Sequence, residues 1–175
     1  MIAARLLADG VGFTTPVFAA FLAIHIAAGL TAVITGALAA LTRKGSRRHV
    51  RAGRWFYRAI TIVFLTAAAL TAMRWRQDYH LLIIGIVAFI AASVGRRHRR
   101  QHRPGDAGHI LGMGIGYVAM LTAFYVDNGP HLPLWDRLPP LTFWFLPGVI
   151  GAPIITRAVL AARRRQQNAT TRLTR

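Results

Sequence analysis

The sequence predicts an all-α membrane protein: a bundle of five transmembrane helices with its N-terminus outside and its C-terminus in the cytoplasm. Three observations lead there. Hydrophobic residues make up 54% of the 175, and they fall into five runs able to cross a hydrocarbon core, which takes roughly 20 helical residues. The formal charge of +17 would suggest nucleic acid in a soluble chain, yet here it sits in short arginine clusters between apolar runs, so its sorting reads as topology. Seven basic residues lie from Arg43 to Arg58, five from Arg96 to Arg103 and six from Arg157 onward, all on one side of five alternating spans. Only Arg5, Arg74, Arg76 and Arg137 fall on the other side. The basic side is expected in the cytoplasm of a bacterial inner membrane.

Residues 1–13 hold one Arg and one Asp, and the apolar run after them is too long for a signal-peptide core, so no cleavage is expected. The first span is expected over 16–41, opening on Pro16 and carrying His25, with Gly29 and Gly36 on neighbouring faces. A basic loop, RKGSRRHVRAGR, leads to a second span over 55–73, where Arg58 can snorkel to the interface. A short turn from Arg74 precedes a third, thinner span over 79–95, followed by the basic loop RRHRRQHR. Asp106 is a candidate N-cap for the fourth span, 107–126. The loop DNGPHLPLWDRLPP has four prolines to fix its path, and Trp135 suits a headgroup layer. In the fifth span, 141–162, Pro147, Gly148, Gly151 and Pro153 should kink or break the helix. Residues 163–175 read as a basic, disordered cytoplasmic tail.

The fourth span is the most informative stretch. Gly108, Gly112 and Gly116 stand one turn apart on one stripe, the small-xxx-small spacing that lets membrane helices approach closely. His109 and Asp127 share a direction but lie roughly 27 Å apart along the axis, which puts His109 on the arginine-rich side and Asp127 at the outer mouth.

Several chemistries are excluded. The chain has no cysteine, hence no disulfide, thiolate site or cysteine nucleophile. Its two serines, Ser46 and Ser93, lie near the expected cytoplasmic face, away from any outward triad. No Asp or Glu falls inside a span, which leaves nothing for a carboxylate proton relay.

His25 sits roughly 13 Å below the outer end of its span, where a polar side chain needs a partner. A neutral imidazole hydrogen-bonded to a neighbouring helix satisfies that need, and so does a ligand role. On the same outer half lie His80, Asp127 and His131, with Tyr79 and Tyr125 nearby in sequence. Three imidazoles and a carboxylate could hold zinc or copper. A haem b could use His25 with His80 or His131, whereas pairing His25 with His109 fails on depth. Met113 and Met120 suit copper(I) as well as plain packing. The inner histidines His49, His98 and His102 stand among arginines and suit anionic lipid headgroups at the cytoplasmic face.

Through HIAAG (25–29), HVRAGR (49–54) and GHILGMGIGYVAMLTAFYVDNGPHLPLW (108–135), the chain resembles a family of small bacterial multi-spanning membrane proteins classed as a domain of unknown function. That resemblance covers about residues 15–162 and implies an integral membrane protein without supplying an activity. The His-bearing first helix and the basic HxRxG loop are more distantly similar to membrane proteins that assist cytochrome oxidase assembly. The expectation is therefore an outward-facing metal or haem site built on His25, His80, His131 and Asp127, serving redox or assembly chemistry. Two alternatives stand beside it. One is a small-molecule permease or accessory subunit, in which a broken fifth span moves against the glycine face of the fourth. The other is a lipid-binding structural protein. Whether the chain is an enzyme stays open, as does a homo-oligomer or membrane-protein partner; nucleic acid is not expected as one.

Overall fold

The computed structural model describes residues 16–101, 106–133, 135 and 137–173. Among them the chain forms α1 (Pro16–Leu41), α2 (Arg47–Met73), α3 (Trp75–Arg100), α4 (Ala107–Asn128), a 3-10 turn (Gly129–His131) and α5 (Pro140–Leu173). Five segments of these helices are long and apolar enough to cross a membrane. The chain divides inside α3, between Ile86 and Val87, into two compact units.

In the first unit, α1 and α2 form an antiparallel hairpin. The connection is short, and Thr42 and Ser46 each close a helix end. Thr42 donates to the Leu38 carbonyl through both its backbone N–H, at 3.0 Å, and its hydroxyl, at 2.7 Å. Gly45 turns the chain at φ +81, a left-handed conformation that favours glycine. Ser46 then caps α2 by accepting from the His49 backbone N–H at 3.2 Å. Ser46→Ala is expected to lower stability by about 1 kcal/mol, read as a shifted thermal midpoint in detergent.

With that cap, α2 begins at Arg47, eight residues before the span expected from 55. Arginine is a good helix former, so the basic stretch continues the helix rather than looping. The same happens at the end of α3, which runs through Arg96–Arg100, and in α5, which continues past Ala162 to Leu173. Thus the tail expected as disordered is helical to Leu173, and the expected turn before α3 shrinks to Arg74 alone. The Arg74 backbone N–H closes α2 by donating to the Leu70 and Thr71 carbonyls, each at 3.1 Å. The fifth helix is also unbroken across Pro147 and Pro153, because spans tolerate an interior proline where neighbouring groups re-satisfy the freed carbonyls.

Burial is confined to the seams. In the first unit the buried side chains are Phe18, Ala28 and Ala32 of α1 and Phe56, Ala59, Ile60, Thr66, Leu70 and Thr71 of α2. In the second, Ala88 and Ala92 of α3, Met120 of α4 and Phe143 and Val159 of α5 are buried. Large apolar residues face outward throughout, among them Leu30, Leu65 and Val149 at 60% exposure or more. Such a surface is an aggregation liability in water, and its natural surroundings are lipid.

The glycine stripe of α4 meets α3. A Cβ on Gly112 would stand 2.5 Å from the backbone of Gly95 and 2.6 Å from the Ala91 carbonyl oxygen, while one on Gly116 would stand 2.9 Å from the Ala88 carbonyl oxygen. The partner of the stripe is therefore α3. Toward α5, α4 presents the opposite side, where Gly114 lies under Ile155 and Gly151 under Val118.

Candidate functional site

The four expected ligands divide between the two units. His25 and His80 belong to the first, Asp127 and His131 to the second. Among the described residues no three His, Asp or Glu side chains form a group that could hold a metal ion. His80 is half-buried, with its ring edge-on to Tyr79 at 5.7 Å between centroids. Asp127 is exposed and accepts from the Asn128 side-chain amide at 3.3 Å. His131 is exposed in the 3-10 turn. This turn is anchored through Gly129, against which the Phe143 ring packs so closely that a Cβ would lie 2.5 Å away. Trp135 folds back onto Tyr125, with ring centroids 5.4 Å apart.

His25 meets Thr66 of α2, a residue that sequence reasoning did not single out. Its Nδ1 lies 2.9 Å from Thr66 Oγ1, and Thr66 is only 5% exposed. The Thr66 hydroxyl donates its one proton to the backbone, 2.8 Å from the Ile62 carbonyl oxygen and 3.1 Å from that of Val63. With its proton so placed, the hydroxyl is an acceptor toward His25. The proton of the neutral imidazole is thereby placed on Nδ1, and the basic lone pair on Nε2. Hairpin arithmetic was the signal that could have found this pair. His25 stands 20 residues before the turn at Gly45 and Thr66 stands 21 after it, so two antiparallel helices with a short connection bring them level.

Toward one end of the same seam, the Arg74 guanidinium lies 5.9 Å from the centre of the Phe18 ring, and Arg74 Nε is 3.9 Å from Asp78 Oδ2. Asp78 lies in the first turn of α3, where a carboxylate complements the helix dipole. At the opposite end, His49 donates from Nδ1 to the Ala39 carbonyl at 2.9 Å. That bond satisfies a last-turn carbonyl of α1, a cap supplied by the next helix.

In the second unit His109 donates from Nδ1 to the Gly95 carbonyl at 3.0 Å, a structural role on the tight α3–α4 seam. His98 covers Gly108, and His102 lies outside the described residues. Asp106 stands at the N-cap position of α4 but makes no side-chain cap bond; its carboxylate pairs with Arg99 at 2.6 Å instead. Both side chains are well exposed, so Arg99→Gln should change stability by less than about 1 kcal/mol in a thermal melt. Met120 is a core residue.

His25, His49 and His109 share one arrangement: each gives Nδ1–H to an oxygen of a neighbouring helix and carries its lone pair on Nε2. Fold and polar residues together define a multi-pass helical membrane protein with histidine-tied helices. No protein-family description, curated protein or solved structure matches the chain.

Proposed function

We propose that this is an integral protein of a bacterial inner membrane that binds a metal centre through Nε2 of His25 and serves redox or assembly chemistry, with its basic helix ends in the cytoplasm. The observation that carries the reading is the His25–Thr66 bond. Metal-ligating histidines nearly always give their other ring N–H to an oxygen, which fixes the tautomer and aims the ligating nitrogen. Of the centres considered, haem b suits these residues best. A bare zinc or copper ion needs three or four grouped protein ligands, and none are gathered among the described residues. A haem brings four nitrogens of its own and asks the protein for one or two axial ligands. His80, in the same unit as His25, is the second axial candidate, while Asp127 would serve only a bare ion.

Absorption spectroscopy and metal analysis of the purified chain test this directly. The expected result is a Soret band with stoichiometric iron, lost in His25→Ala and kept in His49→Ala. Absence of both the band and any stoichiometric metal overturns the reading.

A further inference from the structure

We infer that one face of α2 is a binding site for an anionic phospholipid, its phosphate held by Arg47, Arg51, Arg54 and Arg58 and its acyl chain laid along Ile62 and Leu65. The inference depends on the membrane setting of the helix and not on the His25 reading.

The arrangement exists because the basic stretch after Ser46 is helical. At spacings of i, i+4, i+7 and i+11 the four arginines share one face, and they climb it over roughly 16 Å, about twice the depth of one headgroup layer, a difference their long side chains can span by snorkelling. All four are exposed. Among the described residues no carboxylate pairs with any of them. The next residues on the same face, Ile62 at 43% and Leu65 at 60% exposure, are apolar. On the opposite side of the helix stand the buried residues Phe56, Ile60 and Leu70. Beside the stripe Trp55 is half-exposed, with the Arg58 guanidinium 5.4 Å from its ring centre.

This order, four guanidinium groups followed by an apolar continuation within the span, matches the order of parts in a phospholipid. Arginine forks bind phosphate oxygens in pairs. A free phosphate would use only the upper half of the face, and a nucleic acid could not follow it into the membrane. The net charge of the stripe selects anionic headgroups over zwitterionic ones.

The test uses the full chain in nanodiscs of phosphatidylcholine, to which phosphatidylglycerol with brominated acyl chains is added. Trp55 emission is isolated by subtracting the Trp55→Phe protein. Brominated phosphatidylglycerol should quench Trp55 at lower lipid fractions than brominated phosphatidylcholine. Each Arg→Gln change on the stripe should weaken that preference by about fivefold. Arg54→Gln alone is sufficient to see the effect and leaves the packed face untouched. As a control for diffuse charge attraction, Arg163→Gln, Arg164→Gln and Arg165→Gln together on α5 should leave the preference intact. Equal quenching by both lipids overturns the inference. So does an equal loss in the α5 control, or displacement of the lipid by inorganic phosphate alone.

Discussion

Replacing Gly112 by alanine is expected to destabilise the second unit by about 3 kcal/mol, toward the upper end of what overpacking costs. The added methyl would stand 2.5 Å from Gly95 Cα and N and 2.6 Å from the Ala91 carbonyl oxygen. These are backbone atoms of a helix, which cannot rotate away as a side-chain terminus can, so the whole α3–α4 seam has to open. Separating those helices also strains the His109 bond to the Gly95 carbonyl. Gly29→Ala is the matched comparison, since a Cβ there meets nothing within 4 Å. Alanine is the better helix residue by up to about 1 kcal/mol, so Gly29→Ala should be neutral or stabilising. Thermal unfolding in detergent should thus move the two glycine-to-alanine variants in opposite directions. A Gly112→Ala protein as stable as the parent would mean that the two backbones are not in contact.

The glycine stripe was legible because glycine at every fourth position is rare in an apolar helix unless two backbones must meet there. Its partner was not legible. The facing residues, Ala88, Ala92 and Gly95, lie in LLIIGIVAFIAASVG, where alanine carries no mark to distinguish a close contact from a filler. Helix boundaries divide on similar grounds. The first helix ends at Leu41 as expected, because the charged turn closes it. At the start of α2 and the ends of α3 and α5 the fall in hydropathy marks where hydrocarbon should stop, while the helix continues on arginine and glutamine. Composition locates the membrane edge, and capping groups such as Ser46 locate the helix edge.

For the candidate site, the sequence singled out His25 because an imidazole inside a span must have a partner, yet it could not name the partner. Thr66 sits among several intramembrane threonines, and most of these bond their own helix, as Thr31 does to Ala27 and Thr122 to Val118. What separates Thr66 from them is that it makes its intrahelical bond and still accepts from His25. Of the three histidines read as headgroup contacts, His49 holds helices together at the hairpin connection; His109, expected on the same arginine-rich side, does so at the glycine seam. Histidine near a cluster of arginines is thus no guide to its own role.

Thr66→Val separates a bound centre from a merely structural histidine, and it keeps the volume of the seam. If His25 is only a tie between helices, losing the hydroxyl removes one hydrogen bond at a cost of about 1 kcal/mol, with no spectral consequence. If His25 ligates a centre through Nε2, the same change removes the oxygen that fixes its tautomer and ring orientation. Losing the oxygen that holds a ligating histidine typically weakens metal affinity by about 10- to 100-fold. The expected result is a Thr66→Val protein that folds and unfolds nearly as the parent does but binds haem or metal at least tenfold more weakly in titration of the apo-protein. Thr66→Ser, which retains an acceptor on the same carbon, should restore most of that affinity. Equal affinity in Thr66→Val and the parent would detach the His25–Thr66 bond from any ligand role, even if a Soret band is present, and would direct the search for the axial histidine to His80 and His131.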